Sequence, residues 1–122
     1  MKVLEFAFVA YPVTDMVRAR AFYEEILGFT PSTPTEQDGQ PVPFLEYEVG
    51  PHTLVLGCHP SQTPSTNGPS LALEVEDYDH TIIHLKNHDV TFIMETLQTP
   101  VCRMAYILDP DGNKILIHKR NS

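Results

Sequence analysis

A chain of 122 residues, 42% hydrophobic and 20% charged, has the size of one domain and enough apolar surface to bury a core. Its 16 acidic residues against 8 basic ones give a net charge of −8. That field repels phosphate backbones and anionic lipid, so neither nucleic acid nor a membrane surface is expected as a partner. Cys58 and Cys102 are the only cysteines; with no Cys-x-x-Cys and no Cys/His cluster, a cytoplasmic setting is expected, although one disulfide between them stays open.

In chain order, MKVLEFAFVAYPVTD begins with a lysine and an apolar run. Glu5 interrupts the run and no cleavage site follows, so the stretch reads as a strand over 3–10 and not as a signal peptide. No apolar stretch approaches the roughly 20 residues of a spanning helix. Asp15 is placed to cap a helix that Gly28 closes. Ala19, Phe22, Tyr23, Ile26 and Leu27 form its apolar stripe, while Arg18, Arg20, Glu24 and Glu25 are expected to face water. Short strands follow near 29–33, 43–49 and 53–57, punctuated by Asp38-Gly39 and Gly50-Pro51. Residues 58–70, CHPSQTPSTNGPS, can neither ladder nor coil easily and read as a linker. The chain then repeats itself: LALEVED (71–77) is a strand ending in a cap, DHTIIHLKNHD (79–89) a helix, and VTFIMETL, CRMAYIL and NKILIHK three more strands. Asp109-Pro110-Asp111-Gly112 closes the last two as a hairpin, since Pro110 presets φ and Gly112 accepts φ > 0. The expected fold is α+β, one domain over 1–122, with a βαβββ module at 1–57, the linker at 58–70 and a second module at 71–122.

A tandem βαβββ repeat with VTDMVRARAFYEEILGF early in the first copy and DPDGN late in the second resembles the glyoxalase/bleomycin-resistance/extradiol-dioxygenase superfamily, also called vicinal oxygen chelate. The resemblance covers essentially the whole chain. It implies curled sheets around a concave pocket, helices on the outer face, a small-molecule ligand and a homodimer. In the metal-dependent members it also implies ligands at four positions, which in this chain are Phe8, Ser70, Leu116 and, in a looser register, Leu56. Metals of this kind need carboxylate, imidazole or thiolate lone pairs, and these residues offer none. The neighbours Ala7, Val9, Ile115 and Ile117 do not rescue the site by a one-residue slip. The expectation is therefore no metal and no cofactor.

Strand parity then predicts which side chains share the pocket face: Phe6, Phe8 and Ala10; Leu54, Leu56 and Cys58; Ser70, Ala72 and Glu74; and Lys114, Leu116 and His118. A regular hairpin adds Met104, Tyr106 and Leu108 by pairing them with His118, Leu116 and Lys114. The candidate ligand-binding residues are Phe6, Phe8, Leu56, Ser70, Glu74, Met104, Tyr106, Leu116 and His118. Each polar member also has a purely structural reading. His118 can be a histidine without chemical duty, and Glu74 can be a carboxylate at an open strand end, neutralised by Lys114. Cys58 beside His59 is no nucleophile–base pair, because i and i+1 point apart on a strand. His80, His84 and His88 share helical spacing that suits a transition metal, and equally suits a solvated helix face.

Two functions stay open at this point. One is a metal-free small-molecule binding protein whose affinity comes from aromatic and aliphatic walls. The other is a lyase or isomerase acting on a small carbonyl substrate, with Glu74, His118 or Tyr106 as general acid or base.

Overall fold

The computed structural model describes residues 1–121, and these divide into two compact units, Met1–Pro64 and the residues from Ser65 onward. In unit 1, β1 (Val9–Pro12) leads into α1 (Met16–Arg20) and a π-helical turn over Ala21–Ile26. A small hairpin of β2 (Glu36–Gln37) and β3 (Gln40–Pro41) follows, then β4 (Phe44–Val49) and β5 (His52–Gly57). Unit 2 has β6 (Leu71–Glu74), α2 (Tyr78–Asn87), β7 (Phe92–Gln98), β8 (Cys102–Leu108) and β9 (Lys114–Arg120). No helix among the described residues is long and apolar enough to cross a membrane. The fold is α+β, and each unit opens with a strand and a helical segment before its antiparallel strands.

In each unit the first strand lies parallel to the last. The sheet orders are β1-β5-β4 and β6-β9-β8-β7, with Val9 opposite Leu54 and Leu71 opposite Ile115. A parallel pair cannot be joined by a tight turn, so a helix must cross over one face of the sheet. That crossover decides which residues form the core. In unit 2, Ala105, Ile107, Ile115 and Ile117 are at most 1% exposed, while Met104, Tyr106, Leu116 and His118, at the alternate positions, are half-buried. The Asp109–Gly112 turn has Gly112 at φ +86 and sets Leu108 opposite Lys114, Tyr106 opposite Leu116 and Met104 opposite His118, the register the sequence predicted. Asp109, only 5% exposed, holds the turn by accepting from the Asp111 and Asn113 N–H groups and from the Asn113 amide.

Three expectations are corrected. The first strand begins at Val9 and not at Val3. The segment ahead of it is exposed throughout, with Phe6 at 96%. The strand near 29–33 is reduced to a single bridge between Pro31 and Tyr47, since Pro31 and Pro34 have no N–H for a ladder, and residues 36–41 close on themselves around Asp38-Gly39, both with φ > 0 as the tightest hairpin turn requires. Glu24 does not face water. The Asp15 cap and Gly28 stop are as expected, but the wide turn, with Leu27 N–H on the Phe22 carbonyl and Phe29 N–H on that of Tyr23, rotates Glu24 inward. There it accepts from the Tyr47 hydroxyl at 2.9 Å and from Arg20 at 2.7 Å. Burial pushes the Glu24 carboxyl upward, but the bonds from Arg20 and Tyr47 outweigh it and hold the group below the ordinary range. The Tyr47 hydroxyl is correspondingly raised, by burial first and by Glu24 second.

This face assignment has a direct mutational signature. Ile117→Ala is expected to cost about 3 kcal/mol and Leu116→Ala about 1 kcal/mol, since one side chain leaves a core cavity and the other leaves a half-solvated surface. Urea unfolding of both variants checks it, and the reverse order would mean that β9 is slipped by one residue.

Candidate functional site

The sheet face of unit 2 opposite α2 is where the sequence candidates gather. Its central row is Ala72–Leu116–Tyr106, and the next row is Glu74–His118–Met104. Ser70, just ahead of β6, reaches the Tyr106 hydroxyl at 3.5 Å. Lys114 lies 5.0 Å over the Tyr106 ring, so the lysine that was expected to neutralise Glu74 covers an aromatic instead. Ser70, Glu74, Met104, Tyr106, Leu116 and His118 therefore belong to one face.

Glu74 is held at two points. One carboxylate oxygen lies 2.6 Å from His118 Nδ1, and the other accepts from the Arg120 N–H at 2.7 Å. The ladder explains the second bond, because β6 ends at Glu74 and Arg120 on β9 extends beyond it, so the side chain accepts where the strand no longer can. The Arg120 N–H is the main cause that holds the Glu74 carboxyl below its ordinary value of 4.5, and the His118 contact is the next. An ionised carboxylate only accepts, so His118 Nδ1 is the protonated nitrogen of that contact and Nε2 faces away from it.

The candidates of unit 1 behave differently. Phe6 and Phe8 precede β1 and are 96% and 58% exposed. Leu56 is a correction: it is fully buried, opposite Tyr11 on β1 and Leu45 on β4. It therefore lies on the face where Tyr47 stacks on Tyr23 of the helix, ring centroids 6.1 Å apart. Leu54 goes with it, and the opposite face belongs to Phe44, Glu46 and Val55. The signal was legible in FLEYEV, whose alternation puts Leu45 and Tyr47 on one side and two glutamates on the other, and which the tight turn at Gly50-Pro51 carries over to Leu54 and Leu56.

Sequence reasoning also missed a cavity of about 490 Å³ in unit 1, between the β2–β3 hairpin and that open face. None of its lining residues was a candidate, because the hairpin that walls it was read as part of a loop.

The donor set does not fit a divalent metal at the positions implied by the resemblance. Phe8 and Leu116 have no lone pairs, the Ser70 hydroxyl is bonded to Tyr106, and Leu56 is in the core. Among the described residues no three His, Cys, Asp or Glu side chains are grouped to hold an ion. At the end of α2, the rings of His84 and the capping His88 lie 4.5 Å apart, tilted by 49°, while His88 Nδ1 lies 2.8 Å from the His84 carbonyl, so one nitrogen of that pair is engaged by backbone. Cys58 and Cys102 are free thiols.

With this geometry, comparison with known proteins places the chain. The Glyoxalase/Bleomycin resistance protein/Dioxygenase superfamily matches residues 5–117, and the chain belongs to it. Among solved structures, it is similar to TnmS3, an antibiotic binding protein from Streptomyces sp. CB03234, at 26% identity and a TM-score of 0.78, with 99% of each chain covered. A glyoxalase/bleomycin resistance protein from the same organism is 28% identical, covers 93% of this chain and 98% of its own, and gives a TM-score of 0.71. A glyoxalase/dioxygenase from Nostoc punctiforme shares the fold at 20% identity, with 100% and 99% covered and a TM-score of 0.78. None of the curated proteins matches.

The Glu74 contacts predict a pH signature. A carboxyl whose folded value is lowered contributes stability above its ordinary value and loses it as pH falls through the lowered one. Glu74→Gln should therefore reduce the unfolding midpoint most near about pH 7, with the difference from the parent shrinking toward about pH 3. Thermal unfolding across that range checks it, and a pH-independent difference would mean that the carboxylate charge has no part in the contact.

Proposed function

We propose that the chain is a small-molecule binding protein that works without a metal. The observation that carries this reading is the state of the open face of unit 2. Where the superfamily resemblance implies ligands, this chain has Phe8, Ser70 and Leu116. The two groups on that face able to ligate a metal, Glu74 and His118, are committed to each other at 2.6 Å. What remains for a ligand is the surface of Leu116, Met104 and Tyr106 with the Ser70 hydroxyl at its edge, an apolar wall with a few oriented polar groups. Within unit 1, Phe6 and Phe8 offer exposed aromatic surface of their own, at 96% and 58% exposure. The antibiotic-binding description of TnmS3 supports a sequestering role in kind. The net charge of −8 argues against nucleic acid or an anionic membrane as partner. The protein works as a homodimer, because Val3, Leu4 and Phe6 at 69%, 83% and 96% exposure form an apolar surface that water does not tolerate well. The free thiols fit a reducing cytoplasm.

A second reading rests on the same 2.6 Å contact. A carboxylate that orients an imidazole leaves Nε2 as a base, which suits a lyase or isomerase acting on a carbonyl compound. It ranks behind binding because the Arg120 N–H gives Glu74 a structural task of its own.

Native mass spectrometry of freshly purified, untagged protein separates the readings. The binding reading expects a dimer carrying a small molecule in non-covalent complex, lost in Leu116→Arg and kept in His118→Asn. A particle of 13.8 kDa would contradict the dimer. A small molecule that accumulates only in His118→Asn, and is turned over by the parent protein, would favour the enzyme.

A further inference from the structure

The cavity of unit 1 has a composition that specifies its occupant. Its apolar walls come from Val42, Pro43, Phe44 and Val55, and its charged groups are Glu36 and Glu46. Among the described residues no lysine, arginine or histidine lines it. Glu46 is fixed by its backbone: its N–H donates to the Thr33 hydroxyl, and its carbonyl accepts from the Ser32 N–H and hydroxyl. Its side chain enters no ion pair among the described residues. Glu36 acts at a distance on Arg20, but that guanidinium is already hydrogen-bonded to Glu24 through two nitrogens. Among the described residues, both carboxylates thus border an apolar space with no cation paired to them.

Phe44 is held where it can wall that space. It pairs across the ladder with Gly57, and a Cβ at Gly57 would come within 3.2 Å of its ring, closer than side-chain atoms normally approach. The same Cβ would come within 3.2 Å of the Gln62 side-chain oxygen, so the glycine leaves room for both side chains, and Phe44 stays 53% exposed. The space of about 490 Å³ falls within the roughly 300–1,000 Å³ of small-molecule sites.

From this we infer that the cavity binds a cationic, ring-bearing small molecule, an aromatic amine in the simplest case. Its ring packs on Phe44, Val42 and Val55, and its ammonium group meets Glu46 and Glu36. Charge-assisted hydrogen bonds and the aromatic face both favour such a cation, whereas an anion would meet two carboxylates with no compensating charge. The inference rests on the binding reading above and gives it a ligand class, but it names residues of unit 1 that the reading does not use.

The test uses three probes of one shape, 1-naphthylmethylamine, 1-naphthylmethanol and 1-naphthylacetate, titrated into the full-length ¹⁵N-labelled protein and followed by amide chemical shifts. The amine should bind most tightly and the acetate least, with shifts centred on residues 33–37, 42–46 and 55. Glu46→Gln and Glu36→Gln should each weaken the amine by roughly fivefold, the scale of an accessible ion pair, and leave the alcohol unchanged. Both positions are exposed, so the variants keep the fold. Gly57→Ala should displace Phe44 and weaken the amine and the alcohol alike. Equal binding of the three probes, amine affinity unaffected by both glutamate variants, or amine shifts centred elsewhere would overturn the inference. If the shifts fall on residues 104–118, the binding reading stands while this one fails. If no probe binds, this inference fails and the co-purifying mass decides the other independently.

Discussion

The parallel seating of each unit's first strand beside its last is the constraint from which the rest follows. Val9–Pro12 against Leu54–Gly57 and Leu71–Glu74 against Ile115–His118 each demand a helical crossover, and the crossover covers one face of the sheet. Once one face is covered, the period of two sorts every strand residue into core or open face. Ile115 and Ile117 become core, and Leu116 and His118 become available. The same rule in unit 1 sends Leu54, Leu56, Leu45 and Tyr47 under the helix and leaves Phe44, Glu46 and Val55 outside it. The candidate site is thus what the crossover leaves uncovered.

How much of this was legible depended on how strongly local chemistry pinned the register. The Asp109–Gly112 turn carries its own geometry, with a buried aspartate closing it through three hydrogen bonds, so pairings from Met104 to His118 could be read from the sequence. Asp15, Gly28 and Asp77 were equally plain, because caps and positive-φ positions are local properties. Leu56 was misplaced because its strand, His52–Gly57, is apolar on both faces, so its own pattern does not choose between them. The choice lies in the cross-strand partner Leu45 and the turn between the two strands. Glu24 was misplaced for another reason. Its helix changes hydrogen-bond register midway, and a stripe counted at 3.6 residues per turn cannot register the change. The cavity of unit 1 was out of reach because it depends on where a two-residue hairpin settles, which no periodicity encodes.

The polar residues of the open faces differ in commitment, and that difference carries the functional argument. On unit 2, Glu74 bridges an imidazole and the end of the ladder, Ser70 bonds Tyr106, and Lys114 rests on the same ring. These contacts consolidate the face and leave mostly apolar surface to a visitor. On unit 1, Glu36 and Glu46 stand beside an apolar space without such partners. Membership of a superfamily that includes metal-dependent and metal-free proteins does not choose between them, since function resides in the site and not in the fold. The metal-free proposal for this chain rests on side chains, since Phe8, Ser70 and Leu116 offer no carboxylate, imidazole or thiolate.

The central claim, that the open face of unit 2 does its work without a metal, is tested most directly by elemental analysis of untagged protein, comparing the parent with His84→Ala and with Glu74→Ala/His118→Ala. The account predicts no stoichiometric transition metal in the parent, and any minor amount should disappear with His84, whose ring lies beside that of His88. Near one zinc, nickel, manganese or iron per chain, kept in His84→Ala and lost in the Glu74/His118 double variant, would contradict it.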